Sequence, residues 1–528
     1  MNEGEGVPPD GRAFEPSPLV KSADRPANPR IAAIVIAVVA GAYAAATDPL
    51  ANGFYGTMDA EPPVRAVLEA QADPDAPSAP PVRRGVFVLV DGLRVDEANE
   101  LSALRSLSDE AVHGELRLPL PTISQPFYHA ALTSVPQAGS GARTNALGRV
   151  AVFDTLPDRV RAASGTVAIF AENLDWMTTL VGEPSDLLDA SASALLEPLD
   201  RVLNLPREEA PDFLLVHILE VDESAHRSGT ESDEHRRALR DANEVLRRIV
   251  AKSGDAALMI VSDHGHIRGG GHGGDEPEVR RSPFYFRSPG VPPGTIQRDL
   301  QVEELAPTLA AWMGIAPPRS SIGVCAPELR PPGYRAAPVA LARAETLRRA
   351  EISLDSRLGR ARTLWVAVWA FLALCALGAL RRSFHDFDRG TLLAPVLGFV
   401  SVVAVHRWVW DRPFTMSAIE DIDRHGPHLV FLGLGAGVFA IGAAVLLGRR
   451  AVPLKVRTRR AAGAVAWAAL ACAGFSVAWV GGSLGPWSVS ALAAYLPIVA
   501  MVTAAGASIA AAVVLLGTAP FRERPPSE

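Results

Sequence analysis

Three times in this chain a run of aliphatic residues ends abruptly in an aspartate. VFVLVD closes on Asp91, FLLVHILEVD on Asp222 and LMIVSD on Asp263. Open α/β sheets deliver their functional groups at the carboxyl ends of their strands, so these three carboxylates are expected at one edge of such a sheet. Imidazoles accompany them: His226 stands four residues after Asp222, His264 is next to Asp263, and His272 sits inside GGGHGG.

Carboxylate with imidazole suits zinc, with manganese as the alternative, and two such clusters suggest two divalent metals. Asp222 and His226 can reach one ion if the segment turns helically just after its strand. Asp263 and His264 point in different directions and can serve a second. The freedom of the glycine-rich loop lets His272 swing back toward the first. His266 is close enough to substitute for His272, but the spacing favours His272. His217, inside a strand, reads as core or support and not as a ligand.

The surrounding pattern alternates. A strand over VFVLV is followed by a helix over 95–108, a loop over 118–126 and a helix over 127–135. Strands over 166–170, 212–220 and 257–262, a helix over 231–251 and a further helix over 301–314 complete it. Alternation of this kind predicts an α/β fold, a mostly parallel sheet between helices.

At 528 residues the chain has room for more than that domain, and the remainder reads as membrane. Residues 1–30 are polar and proline-rich, a disordered cytoplasmic tail. Residues 31–47 form a transmembrane anchor, with a cleaved signal peptide ending near Ala44, Ala45 and Ala46 as the alternative. Residues 48–84 are a linker, 85–335 the exported catalytic domain, and 336–362 an amphipathic connector helix. Five apolar helices near 363–380, 391–409, 428–448, 461–480 and 488–517 make an all-α multi-span region, and 518–528 is a second tail.

Arg381, Arg382 and Arg389 follow the second span, and a cluster from Arg449 to Arg460 follows the fourth. The loop between the third and fourth holds Asp411, Glu420, Asp421 and Asp423. By the positive-inside rule both termini are cytoplasmic and the large domain lies outside the cytoplasm. The basic residues are nearly all Arg amid much Ala, Gly and Pro, the composition of a GC-rich, bacterial genome. In a bacterium the spans would lie in the plasma (inner) membrane and the domain in the periplasm. A net charge of −7 and the absence of a basic stripe exclude nucleic acid as a partner. With three cysteines, only Cys325 in the exported region, no disulfide framework is available there.

A nucleophile is the remaining need. LPLPTISQPFYHAALTS sets Thr122 and Ser124 ahead of a helix, where a hydroxyl ordinarily caps. Beside a dication a hydroxyl becomes a nucleophile at neutral pH.

These runs resemble the alkaline phosphatase superfamily, in particular its phosphodiesterase and glycosylphosphatidylinositol ethanolamine-phosphate transferase branch. The likeness rests on Asp91-Gly-Leu-Arg-Val-Asp96, Pro121-Thr-Ile-Ser124, the H-x-L-x-x-D-x-x-x-H-x-x-G run from His217 to Gly229, and SDHG with HGG from Ser262 onward. A weaker likeness extends to Asp175 and Trp176, and in all it covers roughly residues 85–324. It implies that Asp91, Ser124, Asp263 and His264 hold one zinc, with Ser124 as nucleophile. Asp222, His226 and His272 would hold the other, and the amide of Asn145 would steady a phosphoryl oxygen. The chain departs from the branch at Ala225, where glycine is usual, and at Gln125-Pro-Phe127. The second departure keeps Thr122 as a fallback nucleophile. Tyr128 stands where a sulfatase needs Arg.

The expected activity is metal-dependent transfer of phosphoethanolamine or a similar head group through a phospho-Ser intermediate. The donor would be a phospholipid and the acceptor a lipid or glycan. An exported phosphodiesterase or nucleotide pyrophosphatase is the alternative, and a catalytically silent scaffold a third reading.

Overall fold

The computed structural model describes residues 82–120, 122–136, 153–181, 187–189 and 192–334, together with Ser140, Ala142, Asn145, Arg349 and Ser417. The N-terminal tail, the anchor, nearly all of the linker, the connector helix and all five C-terminal spans lie outside the described residues. Among those described, no helix is long and apolar enough to cross a membrane.

β1 (Gly85–Val90) leads into α1 (Val95–Glu100) and α2 (Ser102–Ser108). The sequence predicts one helix there, but Leu101 adopts extended backbone at φ −70° and ψ 121° and divides it. β2 (Val112–Arg117) and α3 (Ser124–Thr133) follow, then α4 (Leu156–Ala162), β3 (Val167–Ala171), α5 (Leu174–Val181), β4 (Leu187–Asp189) and α6 (Ala192–Leu203). β5 (Phe213–Ile218), α7 (Glu220–Ser228), α8 (Asp233–Lys252) and β6 (Ala257–Val261) form the central unit. α9 (Pro277–Arg280), β7 (Arg281–Arg287), β8 (Gly294–Thr295) and α10 (Leu305–Met313) close the domain.

The eight strands form one sheet in the order β4-β3-β5-β1-β6-β7-β2-β8. Every pairing is parallel except those of β7, which runs antiparallel to both β6 and β2. The mostly parallel sheet expected from the alternation is therefore present. Its strands are aliphatic throughout because both faces are covered. Val86, Val88, Leu214, Val216, Leu258 and Ile260 face one way and pack on Leu104 and Leu107 of α2 and Leu246 and Ile249 of α8. Phe87, Leu89, Phe213, Leu215 and Met259 face the other way, toward Phe127 of α3 and Leu309 and Trp312 of α10. Val82, inside the stretch read as linker, already packs on the domain: its N–H donates to the Trp312 carbonyl at 3.2 Å.

The register brings the central strands to a common end. Val90 pairs with Ile218 and Leu89 with Val261, while the Asp91 N–H donates to the Ile218 carbonyl at 2.8 Å. Strand order β5-β1-β6 then makes neighbours of Asp91 and the residues that follow Ile218 and Val261.

Candidate metal centre

Each functional side chain takes its place from where its strand stops. The strand predicted over 212–220 ends at Ile218, and α7 starts at Glu220. That early stop puts Asp222 and His226 one helical turn apart on one face, as their spacing required. Glu172, just past β3, fixes the start of α7: its Oε2 accepts from the N–H groups of Leu219 and Glu220 at 2.5 and 2.6 Å. Sequence reasoning passed over Glu172, although VAIFAE is a fourth aliphatic run ending in a carboxylate.

Two groups of ligand atoms result. In the first, Asp222 Oδ1 lies 2.9 Å from His266 Nε2, 3.4 Å from His226 Nε2 and 3.7 Å from His272 Nε2. The His226 and His272 Nε2 atoms are 3.0 Å apart. In the second, His264 Nε2 lies 3.2 Å from Asp263 Oδ2, 3.4 Å from Asp91 Oδ1 and 3.2 Å from Ser124 Oγ. The two meet where His264 Nε2 comes within 3.9 Å of Asp222 Oδ1. His272 and His266 both reach Asp222, and His266, which the spacing ranked second, is the nearer. The peptide between β6 and the glycine-rich loop turns tightly enough to bring His264 and His266 to the same carboxylate.

Gly92 makes this approach possible. It has φ +72°, and a Cβ there would lie 2.6 Å from His266 Nε2 and 2.9 Å from Asp222 Cα. A side chain at this position would therefore collide with the first group as well as strain the backbone.

The donor set suits divalent cations. Asp91 Oδ1 and Asp263 Oδ2 are buried without a hydrogen bond, as are both ring nitrogens of His266. Burial first, then the Asp222 charge, drives the Asp91 carboxyl well above the usual range. Burial, Asp91 and Asp222 do the same to Asp263. Burial, with His272 beside it, holds the His264 imidazole well below its ordinary value, and burial takes His266 down to about 3. Asp222 goes the other way. Burial would raise it, but His226 and His266 outweigh burial and hold it well below the carboxylate range. Carboxylates crowded toward neutrality and bare imidazole nitrogens are a set that a positive ion relieves. His272 is oriented for this: its Nδ1 faces the Thr122 carbonyl at 2.8 Å, and a carbonyl only accepts, so Nδ1 carries the proton and Nε2 presents its lone pair.

Ser124 proves to be the first residue of α3, not a cap. Ile123 holds the cap position without a side-chain cap bond, and all ten residues of the helix are buried. The helix starts three residues earlier than predicted because Pro126 falls in the first turn, where its missing N–H has no intrahelical role. Freed from capping, Ser124 Oγ turns to His264. Thr122 is occupied elsewhere: its Oγ1 accepts the Gly273 N–H at 2.9 Å and donates to the Gly274 carbonyl at 3.2 Å. Asn145 lies beside Gln125, the residue after Ser124, its Oδ1 accepting the Gln125 N–H at 3.0 Å.

Tyr128, one turn along α3, donates its hydroxyl to Asp91 Oδ2 and lies 2.9 Å from His217 Nε2. His217 is thus a support, as its place in the strand suggested, and burial lowers its pKa to about 4. The role of Tyr128 left no mark in the sequence beyond its four-residue spacing from Ser124.

The chain resembles the type I phosphodiesterase and ethanolamine-phosphate transferase branch of the alkaline phosphatase superfamily. The family described as type I phosphodiesterase / nucleotide pyrophosphatase matches residues 161–272, a span that includes Asp222, His226, Asp263, His264 and His272 but not Asp91 or Ser124. The chain is 28% identical over 303 residues to the human GPI ethanolamine phosphate transferase 3, catalytic subunit, covering 50% of this chain and 28% of that protein. It is 23% identical over 316 residues to the Aspergillus fumigatus GPI ethanolamine phosphate transferase 2, covering 52% of this chain and 41% of that one. It therefore spans well under half the length of these relatives. Among solved structures, the lipoteichoic acid synthase LtaP from Listeria monocytogenes aligns with a TM-score of 0.37 and 16% identity, over 48% of this chain and 77% of that one.

Proposed function

We propose that this chain is a membrane-bound phosphotransferase with two divalent metals, zinc in the first instance. In this reading Ser124 takes phosphoethanolamine, or a similar head group, from a phospholipid and passes it to a lipid or glycan acceptor. The observation that carries the proposal is Ser124 Oγ, released from capping, at 3.2 Å from His264 Nε2, the atom that also lies 3.4 Å from Asp91 Oδ1 and 3.2 Å from Asp263 Oδ2.

Asp91, Asp263 and His264, with Ser124 itself, would hold one ion, and Asp222, His226, His272 and His266 the other. When bound, such ions lower the pKa of a hydroxyl and offset charge on attacking and leaving oxygens. The chain's own residues do the rest. Ser124 Oγ, its proton gone, attacks phosphorus; the Oγ–P bond forms and the bond from phosphorus to the diacylglycerol oxygen breaks. That oxygen leaves and takes up a proton. An acceptor hydroxyl then loses its proton, attacks the same phosphorus from the vacated side and restores Ser124. Asn145, its carbonyl oxygen engaged by the Gln125 N–H, would turn its amide nitrogen to the equatorial oxygens, where donors are worth most.

The test is to give membranes containing wild type or Ser124→Ala a phosphatidylethanolamine labelled in its head group. Transfer predicts label on a lipid or glycan only with Ser124 intact. Label released solely as soluble phosphoethanolamine would replace transfer with the phosphodiesterase reading. Equal transfer by both proteins would remove Ser124 from the chemistry and return Thr122 to consideration.

A further inference from the structure

One residue from far along the chain touches the candidate site. Ser417 belongs to the loop between the third and fourth predicted spans. Its Oγ accepts the Gly274 N–H at 3.0 Å and donates to Glu276 Oε2 at 2.7 Å, and its side chain is fully buried. Gly274 ends the run His272-Gly273-Gly274. All three are held by Thr122, through His272 Nδ1 at 2.8 Å, the Gly273 N–H at 2.9 Å and the Gly274 carbonyl at 3.2 Å. The loop that presents His272 is thus clamped between Thr122 on one side and Ser417 on the other. Gly274 leaves the room for this contact, since a Cβ there would sit 2.6 Å from Ser417 Oγ. The other Glu276 oxygen, Oε1, is buried without a hydrogen bond. Loss of the Ser417 hydroxyl would therefore leave the partly buried Glu276 carboxylate without this donor and the buried Gly274 N–H without this acceptor.

The charges flanking the predicted spans would put the 411–423 loop on the same side of the membrane as the catalytic domain, the arrangement this contact requires.

We propose that Ser417 is a positioning residue through which the C-terminal region completes the candidate metal centre. By holding Gly274 it fixes the loop that aims His272 at Asp222. The proposal rests on the reading of His272 as a ligand given above. It ties retention of one ion to a segment of the chain that lies between two predicted membrane spans.

The test uses the full-length protein in detergent micelles, with zinc retention measured by competition with a chelator of known affinity. Ser417→Ala is expected to weaken one of the two ions by about tenfold and leave the other unchanged, the lower end of what loss of an outer hydrogen-bonding partner costs a metal site. Ser417→Thr keeps the hydroxyl and should retain the wild-type value, which separates a lost hydrogen bond from a lost fold. In parallel, Glu276→Cys with Ser417→Cys, the three native cysteines replaced by alanine, should be joined by a short thiol cross-linker in intact membranes. Wild-type retention of both ions by Ser417→Ala, or no cross-link, overturns the proposal. A wild type that binds no zinc would refute the ligand reading beneath it; a cross-link obtained then would report the docked loop alone.

Discussion

Replacing Glu172 by alanine removes the carboxylate at the start of α7, the helix that carries Asp222 and His226. Two backbone N–H groups, from Leu219 and Glu220, lose an acceptor now at 2.5 and 2.6 Å. A buried N–H left unpaired costs about 1–3 kcal/mol, and the positive end of α7 loses an anion worth about 0.3–1 kcal/mol. Two effects oppose this. Burial raises the Glu172 carboxyl above its usual value, a desolvation cost that alanine does not carry, and water entering the vacated space satisfies part of the demand. A net loss of about 2–3 kcal/mol remains, which for a domain of this size lowers Tm by roughly 4–12 °C. Glu172→Gln keeps an acceptor oxygen and should lose less than half as much. Because α7 brings two candidate ligands, zinc affinity should also fall by about 10–100-fold in the alanine variant. Thermal unfolding followed by intrinsic fluorescence, with and without chelator, and a zinc competition titration measure both. A Tm within 2 °C of wild type, with zinc affinity unchanged, would refute the view that Glu172 holds α7 in place.

Tyr128→Phe strips the hydroxyl from both Asp91 and His217, and should cost about 1–3 kcal/mol in the metal-free protein by thermal unfolding. His217 is kept neutral in the fold, with its pKa depressed from 6.5 to about 4. Its contribution is therefore present above the unfolded value of 6.5 and is lost as pH falls toward 4, about 3 kcal/mol in all. The metal-free His217→Gln protein should accordingly show a shallower fall in Tm between those pH values than wild type, and identical slopes would remove His217 from the account. Removing metal should lower Tm by roughly 5–11 °C for each site filled at a hundredfold excess over its Kd, and zinc, not magnesium, should restore it if imidazole dominates the ligand set.

Asp91 and Asp263 were legible because a doubly covered strand is aliphatic to its last residue and the first carboxylate marks its exit from the sheet, whereas Asp222 lies in the first turn of α7, four residues past the end of β5. His226 was legible for a different reason, a four-residue spacing that a helix converts into one face. β2 and β7 escaped notice: VHGELR buries little of its length, and RSPFYFR carries Pro283, which argues against a strand by sequence alone. His266 was set aside because residue spacing says nothing of the direction a loop takes, and only Gly92, with no side chain, lets that imidazole reach Asp222. Tyr128, Glu172 and Ser417 act through partners 37, 47 and 143 residues away, distances that no local pattern encodes.

The position of β1 in the sheet has a consequence for biosynthesis. It is the first of the described strands to be made and one of the innermost, and both its neighbours come much later, β5 from Phe213 and β6 from Ala257. At about 5–20 residues per second, the ribosome needs roughly 10–35 s to deliver them. Through that interval the uncharged segment GVFVLV has two open edges, the profile of a sequence that pairs with other chains. Productive folding thus depends on keeping this one hexapeptide apart from its copies until translation has passed Val261. Metal capture at the candidate site, which draws on residues from Asp91 to His272, would come only after that.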